Sequence, residues 1–154
     1  IFTEFNLIDI IHGALQDKQN DAEKKNLELK TNFQFVEKEL FLKTDRHKLQ
    51  RSLFHLIDNA IKFTHEGAID INCSKEEKHI RITIKDTGIG IDPDDYQLIF
   101  EPFRQVDVDE SRAFGGNGIG LSIVKSYIEL IGGKIVLESE KNKGTKAIIT
   151  IPLN

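Results

Sequence analysis

Three groups of residues in the chain have types and spacings suited to chemistry. In the first, His55, Asn59 and Lys62 fall at about 240°, 280° and 220° on a helix projection that starts from Leu49, while Leu53, Leu56, Ile57 and Ala60 fall at about 40°, 340°, 80° and 20°. The polar groups therefore share one stripe. A carboxamide oxygen can ligate a hard cation such as Mg2+, which usually keeps waters and substrate phosphates as its other ligands, and a lysine brings a point charge to phosphate. The stripe suits a metal-bound polyphosphate; its bland alternative is a solvated helix face. In the second group, Asp86-Thr87-Gly88-Ile89-Gly90 stands at the end of an alternating apolar run. A carboxylate there can accept a hydrogen bond from an exocyclic amine, and residues without Cβ let a flat ring approach the backbone. Together they could make a purine slot, or simply an acidic turn whose glycines adopt positive φ.

The third group, Gly115-Gly116-Asn117-Gly118-Ile119-Gly120-Leu121, leads into a helical pattern. Free N–H groups at a helix start, preceded by flexible glycines, make an anion site, so phosphate is the expected guest. Neither familiar phosphate motif fits. Gly115, Gly120, Leu121 and Ser122 have P-loop spacing, but leucine replaces the required lysine and a polar loop replaces the preceding strand. The dinucleotide pattern G-x-G-x-x-G is absent too, since the spacing here is G-x-G-x-G with no βαβ unit around it. Plain flexibility is the competing reading of four glycines in six residues. Other chemistries find little support. None of the five histidines has a second histidine or cysteine at zinc-ligand spacing, no G-x-S-x-G elbow appears, and Cys73 sits in a predicted strand as a packing residue.

The elements that must position these groups are legible from periodicity. Asn6 is a preferred cap for Leu7, Ile10, Ile11, Ala14 and Leu15 at helical spacing, which predicts a helix to about Lys24, with the polar stretch Gln16 to Asn26 mostly solvated. Leu27, Leu29, Thr31, Phe33 and Phe35 alternate as a strand, and Leu40 to Lys43 reads as a short partner in a hairpin. Asp45 caps a second helix, which carries the His55 stripe. Ile69, Ile71 and Cys73, then Ile80, Ile82 and Ile84, predict a second hairpin around Lys75 to Lys78. Periodicity fails from Asp86 to Gly118. A third helix through Ile119, Ile123, Tyr127, Leu130 and Ile131 stops at Gly132-Gly133, and Ile135 to Ser139 and Ala147 to Ile151 form a last strand pair. Helix-then-two-strands, three times over, predicts an α/β two-layer sandwich: a mixed, mainly antiparallel sheet covered on one face by about three helices.

Composition bounds the rest. The 154 residues are expected to form a single domain, with 39% apolar and 30% charged residues and a net charge of -4 that offers nothing to nucleic acid. A lone cysteine excludes a disulfide framework and suits a reducing, cytoplasmic setting. No apolar run approaches the ~18 residues of a membrane span, so direct membrane contact is not expected. The absence of methionine suggests a piece of a longer protein. Glycine is average in number, but eight of the 11 lie between Gly88 and Gly133.

Taken in order, His55-Leu-Ile-Asp-Asn59-Ala-Ile-Lys62-Phe63-Thr64, Asp86-Thr-Gly-Ile-Gly90, Phe100-Glu-Pro-Phe103, Gly115 to Leu121 and Gly144-Thr145 resemble the catalytic ATP-binding domain of sensor histidine kinases, of the Bergerat-fold GHKL superfamily. The resemblance covers nearly the whole chain, from Phe5 to Pro152. It implies ATP and Mg2+ as cofactors, with Asn59 as the metal ligand and Lys62 as a phosphate contact. Asp86 would read the adenine amino group, Gly88, Gly90 and Ile91 would line the base, and Thr145 would assist from the opposite side. The segment from Phe100 to Gly116 would be a lid, with Gln105 reaching for phosphate. Gly116, Gly118, Gly120 and Leu121 would bring N–H groups to the phosphates, and Phe63 and Ile119 complete the cofactor-binding set. Relatives often carry asparagine where this chain has His55; neutral imidazole can still ligate or accept a proton but is a poorer partner for Mg2+, and His55 is the one candidate for a catalytic role. The implied partners are a dimerization and histidine phosphotransfer domain of the same protein and a response-regulator receiver domain. This piece would be monomeric and the full protein a homodimer. The alternatives are an ATPase of the chaperone and topoisomerase type, or a degenerate interaction module of the same fold.

Overall fold

In the computed structural model, which describes residues 1–35, 39–92, 94 and 118–153, the elements in chain order are β1 (Thr3–Asn6), α1 (Leu7–Lys24), β2 (Glu28–Gln34), β3 (Phe41–Thr44), α2 (Arg46–Phe63), β4 (Ala68–Lys75), β5 (His79–Asp86), α3 (Gly118–Leu130), β6 (Lys134–Glu140) and β7 (Gly144–Pro152). Both expected caps start their helices. The Asn6 side-chain oxygen accepts from Ile8 N at 3.1 Å and also from Leu40 N at 3.0 Å, so one carboxamide caps α1 and ties it to the segment entering β3. Asp45 accepts from Lys48 N at 3.1 Å and from Lys48 Nζ at 3.1 Å. The Lys48 N–H holds its carboxyl well below the usual carboxylate range, outweighing the opposing effect of burial. At the other end of α2, Lys25 Nζ reaches from beyond α1 to the carbonyls of Ile61 at 2.6 Å and Lys62 at 3.2 Å, placing a cation where the helix dipole is negative.

Five strands form one sheet in the order β2-β4-β5-β7-β6, in which β2–β4 is parallel and the other pairs are antiparallel. The mixed, mainly antiparallel sheet and the three helices match the expected sandwich. The expected hairpin between the second and third strands does not form. β2 instead lies parallel to β4, and β3 pairs antiparallel with β1, a strand the periodicity did not predict, in a separate two-stranded sheet. A parallel pair needs a long crossover, and the connection from β2 to β4 supplies one through α2. Alternation marks a strand but does not choose its partner.

Helices cover the inward phase of the sheet. Ile71, Ile84, Ala147 and Leu137 form one row across β4, β5, β7 and β6, and Cys73, Ile82, Ile149 and Ile135 form the next. Leu49, Leu53 and Ile57 of α2 and Val124 and Ile128 of α3 are fully buried in the same core. Burial pushes the Cys73 thiol up to about 12, so it packs as an apolar residue, as its strand position predicts. The later turns of α1 are less solvated than their polarity suggests. Ala22 is fully buried, and Lys18 is 8% exposed because its ammonium meets Asp58 Oδ1 at 2.7 Å and lies 4.1 Å over the Phe54 ring.

Asp45→Ala is expected to lower the unfolding free energy by about 1 kcal/mol, the usual worth of such a cap, while Asp45→Asn retains most of it. Because the folded carboxyl is held below its ordinary value, its contribution is present above the unfolded pKa and is lost as pH falls. Urea denaturation of the two variants at pH 7 and pH 3 checks both statements: the Asp45→Ala deficit shrinks at the lower pH.

Candidate functional site

The inward phase of three neighbouring strands turns polar at one end. β5 reads Ile80, Ile82, Ile84 and then Asp86; β7, followed backwards, reads Ile151, Ile149, Ala147 and then Thr145; β6 reads Ile135, Leu137 and then Ser139. Ser139 stands opposite Thr145 in the β6–β7 register, and Asp86 opposite the fully buried Ile69 of β4. A row of hydrogen-bonding groups thus closes the apolar rows of the core.

Asp86 is 5% exposed. Its Oδ1 accepts from Gly88 N at 2.9 Å and from Thr145 N at 3.1 Å, while Oδ2 accepts no hydrogen bond among the described residues. Burial pushes the carboxyl up to about 6, with the two N–H groups pulling the other way. At neutral pH the group is a largely ionised carboxylate with one oxygen committed and one available. The loop after β5 is stitched to its surroundings: Ile89 N donates to Phe63 O at 3.1 Å, and Asn142 N donates to Ile89 O at 2.6 Å. Gly88 and Gly90 owe their identity to these contacts. A Cβ on Gly88 would collide with Phe63 O, and one on Gly90, where φ is +72°, would collide with Glu140 O. The close approach that demands glycine is therefore by the protein's own backbone.

Above the polar row lies a small apolar cavity walled by Leu56, Asn59, Ala60 and Phe63 of α2, Ile84 and Asp86 of β5, Ile91, Leu121 of α3, Leu137 of β6, and Thr145 and Ala147 of β7. Six expected site residues meet there: Asn59, Phe63, Asp86, Ile91, Leu121 and Thr145. Gly88 and Gly90 are not among its walls. His55 and Lys62 lie on α2 outside the cavity wall. Lys62 Nζ pairs with Asp58 Oδ2 at 3.1 Å, so Asp58 bridges Lys62 and the buried Lys18. Burial would raise the Asp58 carboxyl, but hydrogen bonds from Lys18 and Lys62 outweigh it and hold it low. His55 Nε2 is buried with no hydrogen-bond partner, and burial, reinforced by Arg51, holds the imidazole below its ordinary pKa and hence neutral. The stripe is thus an organised charge cluster with an orphaned nitrogen, and not simply a solvated face.

Gly118, Ile119 and Gly120 form the first turn of α3, where backbone N–H groups have no intrahelical partner. Gln105, Gly116 and the Phe100 to Phe103 segment lie outside the described residues. Sequence reasoning missed Leu56, Ala60, Ile84, Leu137, Ala147 and, above all, Ser139. Its hydroxyl accepts from Ile91 N at 2.7 Å, donates to Gly144 O at 2.9 Å, and meets Thr145 Oγ1 at 2.8 Å. A polar residue in the inward phase of β6 was the available signal.

An apolar slot ended by a buried acceptor fits a planar ring whose edge donates a hydrogen bond. No group of three or more His, Cys, Asp or Glu side chains that could hold a metal exists among the described residues. The Asn59 side-chain oxygen is a group that could serve a hard cation whose other ligands a substrate brings. Sheet, helices and slot together define a class, a two-layer α/β sandwich that holds a ring-sized apolar slot between its helices and the polar end of its sheet.

Comparison with known proteins narrows the class. The family model described as histidine kinase-, DNA gyrase B-, and HSP90-like ATPase matches residues 44–154. The autoinducer 2 sensor kinase/phosphatase LuxQ of Vibrio vulnificus is 42% identical over 118 residues, which is 73% of this chain and 14% of that protein. The sensor histidine kinase GacS of Pseudomonas protegens is 38% identical over 154 residues, 97% of this chain and 17% of that protein. Among solved structures, the catalytic domain of histidine kinase ThkA superposes with a TM-score of 0.85 at 30% identity, covering 99% of this chain and 96% of that one. ThkA in complex with the response regulator protein TrrA gives a TM-score of 0.80 at 28% identity, over 99% of this chain and 42% of that one. This chain belongs to the family of histidine kinase-, DNA gyrase B- and HSP90-like ATPases, with sensor histidine kinases as its relatives. Membership implies ATP as a ligand, and the fold is that of the histidine kinase catalytic domain. The chain spans only 14% and 17% of the LuxQ and GacS relatives. No described helix is long and apolar enough to cross a membrane.

Asp86→Asn keeps an oxygen acceptor for Gly88 and Thr145 but removes the buried charge. A folded pKa raised to about 6 means stability present at low pH and lost as pH rises through that value, so the variant is expected to melt no lower than the parent at pH 7.5. Gly90→Ala, strained at φ +72°, is expected to melt at least ~2 °C lower. Thermal denaturation followed by circular dichroism reads both.

Proposed function

We propose that the chain is a single ATP-binding catalytic module of a cytoplasmically placed two-component sensor histidine kinase, delivering the γ-phosphate of MgATP to a histidine on a separate dimerization and phosphotransfer domain. The observation that carries this reading is the Asp86 carboxylate, buried at the end of an apolar cavity with Oδ2 available, in a chain of this ATPase family.

Each residue has a part in that reading. Asp86 Oδ2 accepts from the adenine amino group, Ile91 and Leu121 pack against the ring, and Thr145 contributes from the opposite side. Asn59 offers its oxygen to Mg2+, and that ion, when bound, neutralises charge on the phosphates. Lys62 adds a positive charge nearby, since Asp58 keeps Lys18 as a counterion when Lys62 turns toward phosphate. The first turn of α3, at Gly118 to Leu121, donates N–H groups to phosphate oxygens. Gln105 and Gly116 are assigned to phosphate contact and the lid on the motif pattern alone. His55, a neutral imidazole whose Nε2 is buried and unpartnered, is kept as the one catalytic candidate on the motif pattern alone. Orientation and charge neutralisation are most of what phosphoryl transfer asks of a protein.

A homodimer of the full protein and a receiver-domain partner follow from the same reading, and the ThkA–TrrA complex is the relative that supports the latter. Incubating the chain with a cognate dimerization domain and labelled MgATP is expected to yield acid-labile phosphohistidine on that domain; label released only as inorganic phosphate would point to the hydrolytic alternative.

Calorimetry of MgATP is expected to show saturable binding, with Asp86→Asn weakening ATP by about tenfold or more while GTP changes less, because the Asn amide turns a donor toward the adenine amine. Equal losses for the two nucleotides contradict the role given to Asp86. Adenosine affinity is expected to fall as pH drops through about 6, where the carboxylate that accepts the amine becomes protonated.

A further inference from the structure

We propose that Ser139 is a positioning residue that sets base specificity by taking the hydroxyl proton of Thr145. Its place follows from the register: it faces Thr145 at the end of the inward phase of β6. The hydrogen-bond accounting gives its role. Ser139 Oγ has one proton to give. Among the described residues, Ile91 N–H donates to it at 2.7 Å, and Gly144 O, 2.9 Å away, can only accept, so the Ser139 proton goes to Gly144. The 2.8 Å contact with Thr145 Oγ1 then requires Thr145 to be the donor. With its proton spent, the Thr145 hydroxyl can offer only lone pairs to the cavity that it walls.

The buried carboxylate that also walls the cavity, Asp86, is an acceptor too, through Oδ2. Two acceptors lining one cavity match an exocyclic amine, which carries two hydrogens, and oppose a carbonyl, which carries none. Ser139 thereby turns a hydroxyl that could serve either partner into one that favours a 6-aminopurine over a 6-oxopurine. This inference rests on the reading that the cavity takes the base of ATP.

The test compares three nucleotides on the 154-residue chain with Mg2+ present: ATP, inosine triphosphate with a carbonyl at the 6-position, and purine riboside triphosphate with no substituent there. The parent is expected to prefer ATP over both. Ser139→Ala frees the Thr145 proton to donate to a carbonyl, so the ATP-over-inosine preference is expected to narrow about fivefold, the worth of one net hydrogen bond, while the preference over the unsubstituted purine moves less. A loosened site would lose affinity for all three alike, and that result overturns the proposal. Thr145→Val provides a second route if Ser139→Ala does not fold. It should also narrow the ATP-over-inosine preference, and Ser139→Ala added to it should change the preference no further. An unchanged preference in Thr145→Val overturns the proposal by itself. A parent that binds no ATP removes the reading of the cavity as well; a parent that binds ATP but does not discriminate removes the Ser139 role alone.

Discussion

A carboxylate kept out of water at the end of the central strand is the constraint around which the rest of the molecule is arranged. Asp86 continues the inward phase of Ile80, Ile82 and Ile84, so its charge falls where the sheet would otherwise place another apolar side chain. An ionised group in that position is costly unless hydrogen-bonded. Two backbone N–H groups meet the need at Oδ1, one from Gly88 just beyond the strand and one from Thr145 at the start of β7. Those two bonds bring the glycine loop and the β7 turn to the same carboxylate. The remaining burial cost shows in a carboxyl raised to about 6, and its second oxygen is the polar feature that a ligand would recognise.

The helix layer answers the same geometry from the other side. α2 gives its apolar face to the sheet, and between that face and its charged stripe it presents Asn59 and Phe63 to the cavity. The stripe is held by a lysine from a different helix: Lys18, buried against Phe54, fixes Asp58, which in turn engages Lys62. A buried ion pair of this kind is weak ground for a claim of added stability, because desolvation offsets most of the attraction. Its consequence is positional, since it gives the exposed end of Lys62 a defined partner beside the site.

Much of this was readable in the residues themselves. Asn6 and Asp45 announced two helices, the alternation Ile80-Ile82-Ile84 ending in Asp86 announced a strand with a charge at its tip, and the ordered boxes around Asn59, Asp86 and Gly118 announced a nucleotide. What escaped did so for physical reasons. β1 is four residues long and has no alternation to detect, and β2 and β3 look like a hairpin because propensity is local while pairing is not. Lys18 read as a solvated lysine because its counterion lies 40 residues away in the chain. Ser139 read only as the last residue of a strand because its partners, Ile91, Gly144 and Thr145, belong to other segments.

The sequence by itself therefore determined the element types, the two-layer class and the residues that could meet a nucleotide, since periodicity, capping and motif spacing all act within a few turns or strands of chain. Tertiary structure alone decided which strands are neighbours, that Gly88 and Gly90 are required by Phe63 and Glu140, and that Ser139 stands against Thr145. Register across three strands aligns Asp86, Thr145 and Ser139 as a polar row, and register is a property of pairing between distant segments. Donors and acceptors in that row acquire a direction only once all of them are in place, which is why the polarity of the site is a property of the fold and not of any one residue in it.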